Sequence, residues 1–447
     1  MNQPGKFVSG STMRHVINMT ATSTIGLLAI FVVDALNLFY IARLGQRELA
    51  AAVGYATTLL FFHTALSIGL SIAASAMCAR ALGAGERQQA QRIAGFSLWL
   101  TAAVATLISL LTIPLLSPLL SFLGAKGETH QLALRFGMIL LPSTPILTVG
   151  MSVGALLRAV GDGKRGMYTT LSAALTTAIL DPLFIFGLGM GLDGAALANI
   201  LARCALLAVG LHGLLRVHRL YQHPQWQDFQ QNLRPFLAIG IPAILTQIAT
   251  PFGNAAVTSA MGAYGDEAVA GWAVVSRLIP VAFSALFALS GAVGPILGQN
   301  LGARQYARLR STMRDSLLVT LVYVLAVWAA LALGHNIIVK LFGVQGPGAQ
   351  VVDFFCLFVS ASFLFNGALF VANAAFNNLG YPFYSTMLNW GRSTLGVIPF
   401  IWLGGIWYGV EGIMAGYGLG VVLFGVLGVW LCFKVLREIE SRHAAGA

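Results

Sequence analysis

The sequence predicts an all-α polytopic membrane protein, with twelve transmembrane helices in two pseudo-symmetric six-helix halves. Three observations predict it: an apolar composition nearly free of charge, apolar runs of spanning length from end to end, and an internal repeat. Of 447 residues, 57% are hydrophobic and 9% are charged, and the mean hydropathy is +0.80. A soluble domain carries about 25% charged residues, so this chain cannot build a water-facing surface. A run of about 20 apolar residues crosses about 30 Å of hydrocarbon. Inside lipid the backbone must satisfy its own polar groups, which leaves helices or a closed barrel. A barrel would show alternation in segments of about ten residues, and the sequence has none.

The spans are expected at 14–43, 49–80, 92–116, 131–157, 167–188, 194–216, 235–260, 268–299, 314–334, 350–377, 383–404 and 411–434. Met1 to Gly10 is polar, and the run from Val16 to Ala42 is too long for a signal-peptide core. The first helix is therefore expected to stay in the protein. The longest polar stretch, 217–234, reads as a linker between an N-terminal bundle (1–216) and a C-terminal bundle (235–447). Its Trp226 and Phe229 are expected to rest at the membrane interface.

Eighteen Lys and Arg fall at the N-terminus, in the even-to-odd loops and at the C-terminus, against four (Arg43, Arg47, Lys126 and Lys340) on the other side. This positive-inside bias places both termini in the cytoplasm. It also accounts for the net charge of +11 without a nucleic-acid partner. Cys78, Cys204, Cys356 and Cys432 all fall in apolar segments and read as small buried hydrophobes.

The halves repeat. Gly83-Ala84 matches Gly302-Ala303, and Gly161 matches Gly380, both 219 positions on. Gly191 to Gly194 matches Gly409 to Gly412 at 218, and Gly45 matches Gly265 at 220. A repeat of six helices gives both halves the same orientation, a common build of transporters. No phosphate-binding G-x-x-x-x-G-K-[ST] and no HExxH occurs. Energy is expected from an ion gradient or from the substrate's own gradient.

An ionisable group at the bilayer centre costs at least about 2.5–3.5 kcal/mol, so it reads as functional by default. Two carboxylates qualify. Asp34 lies deep in the first helix, with Asn37 at i+3 on the same face. Asp181 lies in the fifth helix, one turn after Thr177 and beside Pro182, which frees a carbonyl and bends the helix. The repeat supplies a comparison: Asp34 aligns with Asn254, and the Pro182 region aligns with Pro399, where no carboxylate occurs. The first half is thus expected to carry the proton chemistry. The alternative is that both Asp residues only pair with Arg203 or with backbone. Arg203 reads as a counter-ion for Asp181. Arg277 and Arg392 read as structural, snorkelling or bonding within their half. Gln247, Asn366, Asn373 and Asn377 line a polar cavity or act as interhelical glue. His63 reads as a packed, hydrogen-bonded core residue.

Over nearly the whole chain the pattern resembles the multidrug and toxic compound extrusion (MATE) family. The resembling stretches are RLGQRELAAAVG, RALGAGE, LLRAVGDGKRGM, LDPLFIFGLGMGLDGAALA and GQNLGAR. The resemblance implies two six-helix bundles around a central cleft, and export of amphipathic, often cationic compounds driven by proton or sodium entry. It carries the fifth-helix carboxylate onto Asp181 and a polar sixth-helix position onto Asn199. In the proton-coupled, DinF-like members an Asn precedes that carboxylate by one turn, where this chain has Thr177. The family's first-helix Asp falls on Asn37 here, so the carboxylate Asp34 stands one turn earlier. A carboxylate of the sodium-coupled, NorM-like members falls on Asn366. The expectation is an inner-membrane, proton-coupled antiporter, monomeric, without a cofactor and not an enzyme, with Asp34 and Asp181 coupling. Asn37, Thr177, Asn199, Arg203, Gln247, Asn254, Asn366 and Asn373 would line the substrate cavity. The rival readings are a sodium-coupled antiporter, a flippase for lipid-linked precursors, a membrane-embedded enzyme and a passive channel.

Overall fold

The computed structural model describes residues 5–43 and 47–444. Gly45, used above for the repeat, lies outside the described residues. Everything regular among those described is helical. The helices are α1 (Thr12–Arg43), α2 (Arg47–Gly83), α3 (Arg87–Phe122), α4 (Gly127–Val160), α5 (Gly163–Gly187), α6 (Gly191–Val217) and α7 (Trp226–Gly262). They continue with α8 (Asp266–Ala282 and Ser284–Gly302), α9 (Tyr306–Phe342) and α10 (Gly346–Leu357 and Val359–Leu379). The two segments of α8 meet at Phe283 with a bend of 45°.

The last helical run, Pro382–Arg442, is 61 residues long, about 90 Å at 1.5 Å per residue, far too long for one crossing. It breaks at Tyr408 and Gly409, whose backbone is non-helical. A Cβ on Gly412 would lie 1.9 Å from the Gly404 carbonyl, one on Gly416 2.3 Å from that of Phe400, and one on Gly420 1.6 Å from that of Gly396. Each pair of numbers steps symmetrically away from 408, the signature of an antiparallel helical hairpin. The run is therefore two helices, α11 (382–407) and α12 (410–444), packed backbone to backbone through glycines four apart. Among the described residues the total is twelve.

Left-handed residues report the duplication directly. Gly124, Gly127 and Gly161 have φ of +98°, +55° and +94°, and Gly343, Gly346 and Gly380, each 219 positions later, have +64°, +52° and +96°. Gly85 (+80°) is matched by Arg304 (+55°), a side chain where the first copy has none.

Contacts divide the chain into two compact units. One comprises Met1–Lys6 and Ile25–Ile244, the other Phe7–Thr24 and Leu245–Ala447. This differs from the expected 1–216 and 235–447. α1 and α7 each begin in one unit and end in the other; a helix of 32 residues is about 48 Å long, so its two ends can take separate neighbours. The stretch 217–234 likewise is no free linker: helix begins at Trp226, and Phe229 packs edge-on against Phe96 at 5.1 Å. Trp226 is exposed. Of the cysteines, Cys204 is exposed and the other three are buried, so only three match the buried expectation.

In the first unit, Phe96, Phe236, Leu156, Leu157 and Leu220 centre one core, and Ile41, Val53, Ile185 and Leu192 centre a second. In the second unit Phe7 is 1% exposed in a core with Leu289, Ile296 and Phe376. Its backbone N–H donates to Gln299 at 2.8 Å, and Arg308 donates to the carbonyls of Phe7 and Gly10 at 2.7 and 2.8 Å.

The corner between α4 and α5 is pinned by Asp162. It accepts from the Arg165 backbone N–H at 3.1 Å, the Arg165 guanidinium at 2.6 Å and His218 at 2.8 Å. Burial alone would raise its carboxyl, but these hydrogen bonds and the Arg165 charge hold it below the usual range. A depressed carboxylate stabilises the fold above its unfolded pKa of about 3.9 and loses that contribution as pH falls through the folded value. Asp162→Asn should therefore lower the thermal midpoint in detergent at neutral pH, with the difference from wild type intact down to about pH 4 and lost only as pH falls further, through the folded value. Gly420→Ala should cost about 1–3 kcal/mol by overpacking the hairpin. Gly334→Ala, with nothing within 4 Å of its Cβ, should be neutral or stabilising by up to about 1 kcal/mol. Thermal unfolding of both in the same detergent checks the contrast.

Candidate functional site

In the first unit, α5 is α-helical to Pro182 and then opens into a π-helical turn, Leu183–Gly187. Proline has no N–H to close the ladder, and π turns concentrate at functional sites. Asp181 lies immediately before this irregularity and is 1% exposed. One carboxylate oxygen accepts a hydrogen bond from the Asn37 amide of α1 at 2.6 Å. The other is buried and has no hydrogen-bond partner. Asp34, one turn earlier on α1, is exposed and lies close enough for its charge to act on Asp181. The structure thus joins two positions that the sequence treats separately. Asn37, where the family resemblance puts an acid, donates to the carboxylate of α5.

Arg203 is not the counter-ion of Asp181. Its guanidinium donates to Asn199 at 3.2 Å, to the Ser143 hydroxyl at 2.8 Å and to the Leu140 carbonyl at 3.2 Å. The reason is local: Pro142 interrupts α4 with a 3-10 turn at Leu141–Ser143, and the loosened carbonyl and hydroxyl take the guanidinium. Asn199 and Arg203 are brought together as an i, i+4 pair on α6. Thr177 spends its hydroxyl on the Ala173 carbonyl at 3.1 Å. His63 is 5% exposed, and its Nδ1 has no partner, so it is packed as expected but not hydrogen-bonded there. Its neighbour Ser67 bonds Thr148 at 2.8 Å.

In the second unit the polar residues gather differently. Asn366 is 4% exposed and accepts from Arg392 at 3.4 Å. Arg392 also donates to Thr250 at 3.0 Å. Asn373 and Asn377 are buried, each with an unpartnered side-chain oxygen. Gln247 and Asn254 are half-buried and make no side-chain hydrogen bond among the described residues. Arg277, in mid-helix on α8, is exposed. An open, apolar groove of about 580 Å³ follows one face of α7, from Phe229 to Pro242; it includes none of the candidate site residues.

Arg203 tests the first-unit scaffold. Arg203→Leu strands the Asn199 and Ser143 oxygens in a buried site, which costs about 3 kcal/mol. A thermal midpoint in detergent lowered by several degrees is expected, with Arg203→Lys intermediate because an ammonium lacks the guanidinium fork.

The profile of the MatE family matches residues 23–183 and again 242–403, two copies beginning 219 residues apart. The "FAD transporter" of Shewanella oneidensis is 26% identical over 437 residues, covering 96% of each chain. The "Multidrug export protein MepA" of Staphylococcus aureus is 22% identical over 417 residues, covering 91% of this chain and 90% of the relative. Among solved structures, the Vibrio cholerae MATE transporter VcmN in its bent form superposes with a TM-score of 0.90 at 26% identity, covering 96% and 97% of the two chains. An outward-facing multidrug resistance MATE transporter gives 0.92 at 21% identity, covering 98% and 100%. Both units of this chain are thus copies of one family module, and the chain belongs to the MatE family of multi-pass membrane transporters, which are not enzymes.

Proposed function

We propose that this chain is a secondary antiporter of the plasma membrane. It exports amphipathic, often cationic compounds in exchange for protons, with both termini in the cytoplasm and as a monomer. The observation that carries the reading is Asp181: a carboxylate 1% exposed, with one hydrogen bond from Asn37 and a second oxygen that has none. A lone carboxylate in a low-dielectric interior is stabilised by a proton or by a cationic ligand. A site that takes either, but not both, exchanges them. Asp34 adds a second negative charge on the same helix as Asn37. It strengthens the competition, because neighbouring carboxylates disfavour double ionisation.

In the cycle we propose, the deprotonated first unit draws substrate from the cytoplasm. Protonation from outside removes the charge and releases the substrate, and loss of the proton inside resets the site. Asn37 positions the carboxylate in both states, since an amide can donate to an ionised oxygen or accept from a protonated one. Arg203, held by Asn199, Ser143 and Leu140, keeps α4 and α6 in register beside it. Each proton brings about 2.3 kcal/mol per 100 mV and about 1.4 kcal/mol per pH unit. For a neutral substrate one proton thus supports an export gradient of about 10²-fold; a monovalent cation exchanged one for one moves no net charge, so the pH term alone drives it, about tenfold per pH unit.

A second reading concerns the substrate. The S. oneidensis relative is an FAD transporter by name, and the second unit holds a buried arginine. Anionic or zwitterionic aromatic compounds therefore belong within the proposed range.

Proteoliposomes separate the coupling ions. With a fluorescent cationic dye, an imposed proton gradient should drive flux in wild type, and a sodium gradient alone should not. Asp181→Asn should lower the proton-driven rate by at least about tenfold, the loss of one transition between charge states. Asp34→Asn should lower it less. Flux driven by sodium alone, or normal flux in both variants, would sink the proton reading.

A further inference from the structure

Arg392 stands out in the second unit. Its side chain is 4% exposed. The guanidinium has five donor hydrogens and no acceptor capacity. It makes two hydrogen bonds, a long one to Asn366 at 3.4 Å and one to Thr250 at 3.0 Å, and its Nε is buried with no partner. The phenol of Tyr417 lies near enough to interact electrostatically. Arg203 in the first unit, by contrast, fills three acceptor positions with side-chain and backbone oxygens.

Among the described residues, no carboxylate forms an ion pair with Arg392. The acidic residues of the second unit are Asp266, Glu267, Asp315, Asp353, Glu411, Glu438 and Glu440. Asp266 and Glu267 sit at a helix start and Glu411 at the start of α12, while Glu438 and Glu440, in its last turns, pair with Arg442 and Arg310. Asp353 bonds His335 at 2.6 Å, and Asp315 accepts from Thr12 at 2.5 Å. A guanidinium buried without a counter-charge is costly, and arginine in mid-membrane marks a ligand or ion path by default.

The backbone around it is built irregularly. α11 is interrupted at 394–397, directly after Ser393. α10 breaks at Phe358 into a 3-10 turn, Val359–Ser362, four residues before Asn366. On α7, Thr250 precedes Pro251, whose missing N–H frees the Gln247 carbonyl. Irregular backbone at membrane depth is tolerated where protein buries it or where it lines a water-filled space. Thr250 is exposed, so one partner of the guanidinium reaches the unit's surface. The guanidinium's other hydrogen-bond partner is the Asn366 amide, whose nitrogen is a further donor.

We propose that Arg392, with Asn366 and Thr250, forms an anion subsite in the second unit that takes the phosphate or carboxylate of an amphipathic substrate. The guanidinium fork matches two oxygens of either group, and the amide and hydroxyl supply donors beside it. The proposal rests on the carrier reading above and deepens it, assigning the recognition of an oxyanion to named residues of the second unit. The two units then divide the recognition: carboxylates in the first, an arginine in the second.

Riboflavin and riboflavin 5′-phosphate share one ring system and differ by one phosphate. Their equilibrium binding to the full-length protein in detergent, read by flavin fluorescence polarisation, isolates the subsite. The phosphate form should bind about tenfold or more tightly than riboflavin, the scale of a charge-assisted pair. Arg392→Gln should cut that preference to about twofold or less without weakening riboflavin, while Arg392→Lys, which keeps the charge but not the fork, should retain part of it. Equal binding of the two flavins in wild type overturns the proposal even if no variant folds. So does a preference that survives in folded Arg392→Gln. Inorganic phosphate that displaces the flavin phosphate at comparable concentration overturns the assignment to a substrate and leaves a site for free anions. The assay has no ion gradient, so it separates the two readings. A protein that discriminates the flavins but shows no gradient-driven flux loses the carrier mechanism and keeps the subsite.

Discussion

A charge in hydrocarbon must be neutralised, paired or wetted, and this constraint organises the molecule. Asp181 meets it with a single hydrogen bond from Asn37 and one bare oxygen. That is too little to settle an ionised carboxylate and enough to orient it. In the proposed cycle a group left in this condition is either protonated or faces a cation. The proposed exchange is the competition between these two forms. The fold's task is to hold the carboxylate where the two forms compete. It does so by placing Asp181 at the last turn of α5 before the π-helical opening, and Asn37 opposite on α1.

The scaffold is one module used twice, and its two copies have kept their turns and changed their charges. Left-handed corners recur at 124 and 343, 127 and 346, 161 and 380. Close glycine packing recurs as well: Gly194 meets the Phe184 backbone, and Gly412, 218 positions later, meets Gly404. Turns and close contacts are fixed by backbone geometry, so a duplicated module cannot easily abandon them. Buried polar positions are free to diverge once the helices are in place. Asn199 bonds Arg203 in the first unit, and its counterpart 218 positions on, Tyr417, is near enough to Arg392 to interact electrostatically. Two carboxylates in one unit and an uncompensated arginine in the other are the outcome.

Much of the fold was legible because hydrocarbon leaves few choices. Hydropathy gave the twelve spans, including the separate runs at 383–404 and 411–434 that the helical hairpin joins. The repeat and the family resemblance predicted two bundles. Hidden were features that depend on tertiary contact. Phe7 looked like part of a polar leader, yet its ring is buried in the second unit's core. The exchange of α1 and α7 between units leaves no periodic trace. At the site, cost of burial pointed to Asp34, Asp181 and Arg203 one by one, but not to their partners. Proximity along a helix suggested Asp34 with Asn37, and charge suggested Asp181 with Arg203. The structure instead pairs Asn37 with Asp181, and Arg203 with a broken turn of α4. Arg392 read as structural because a sequence does not show that a buried cation lacks a carboxylate. Asn373 and Asn377, read as lining a polar cavity or as interhelical glue, are buried in the second unit.

The most direct test of the account is whether substrate and proton displace one another at Asp181 in the absence of any membrane gradient. Purified protein in weakly buffered detergent solution can be mixed with a cationic substrate while a pH indicator reports protons released. The account predicts release from wild type at a pH where the site is protonated, saturating with substrate occupancy, and none from Asp181→Asn. Substrate binding with no proton release from wild type, or equal release from Asp181→Asn, would contradict it.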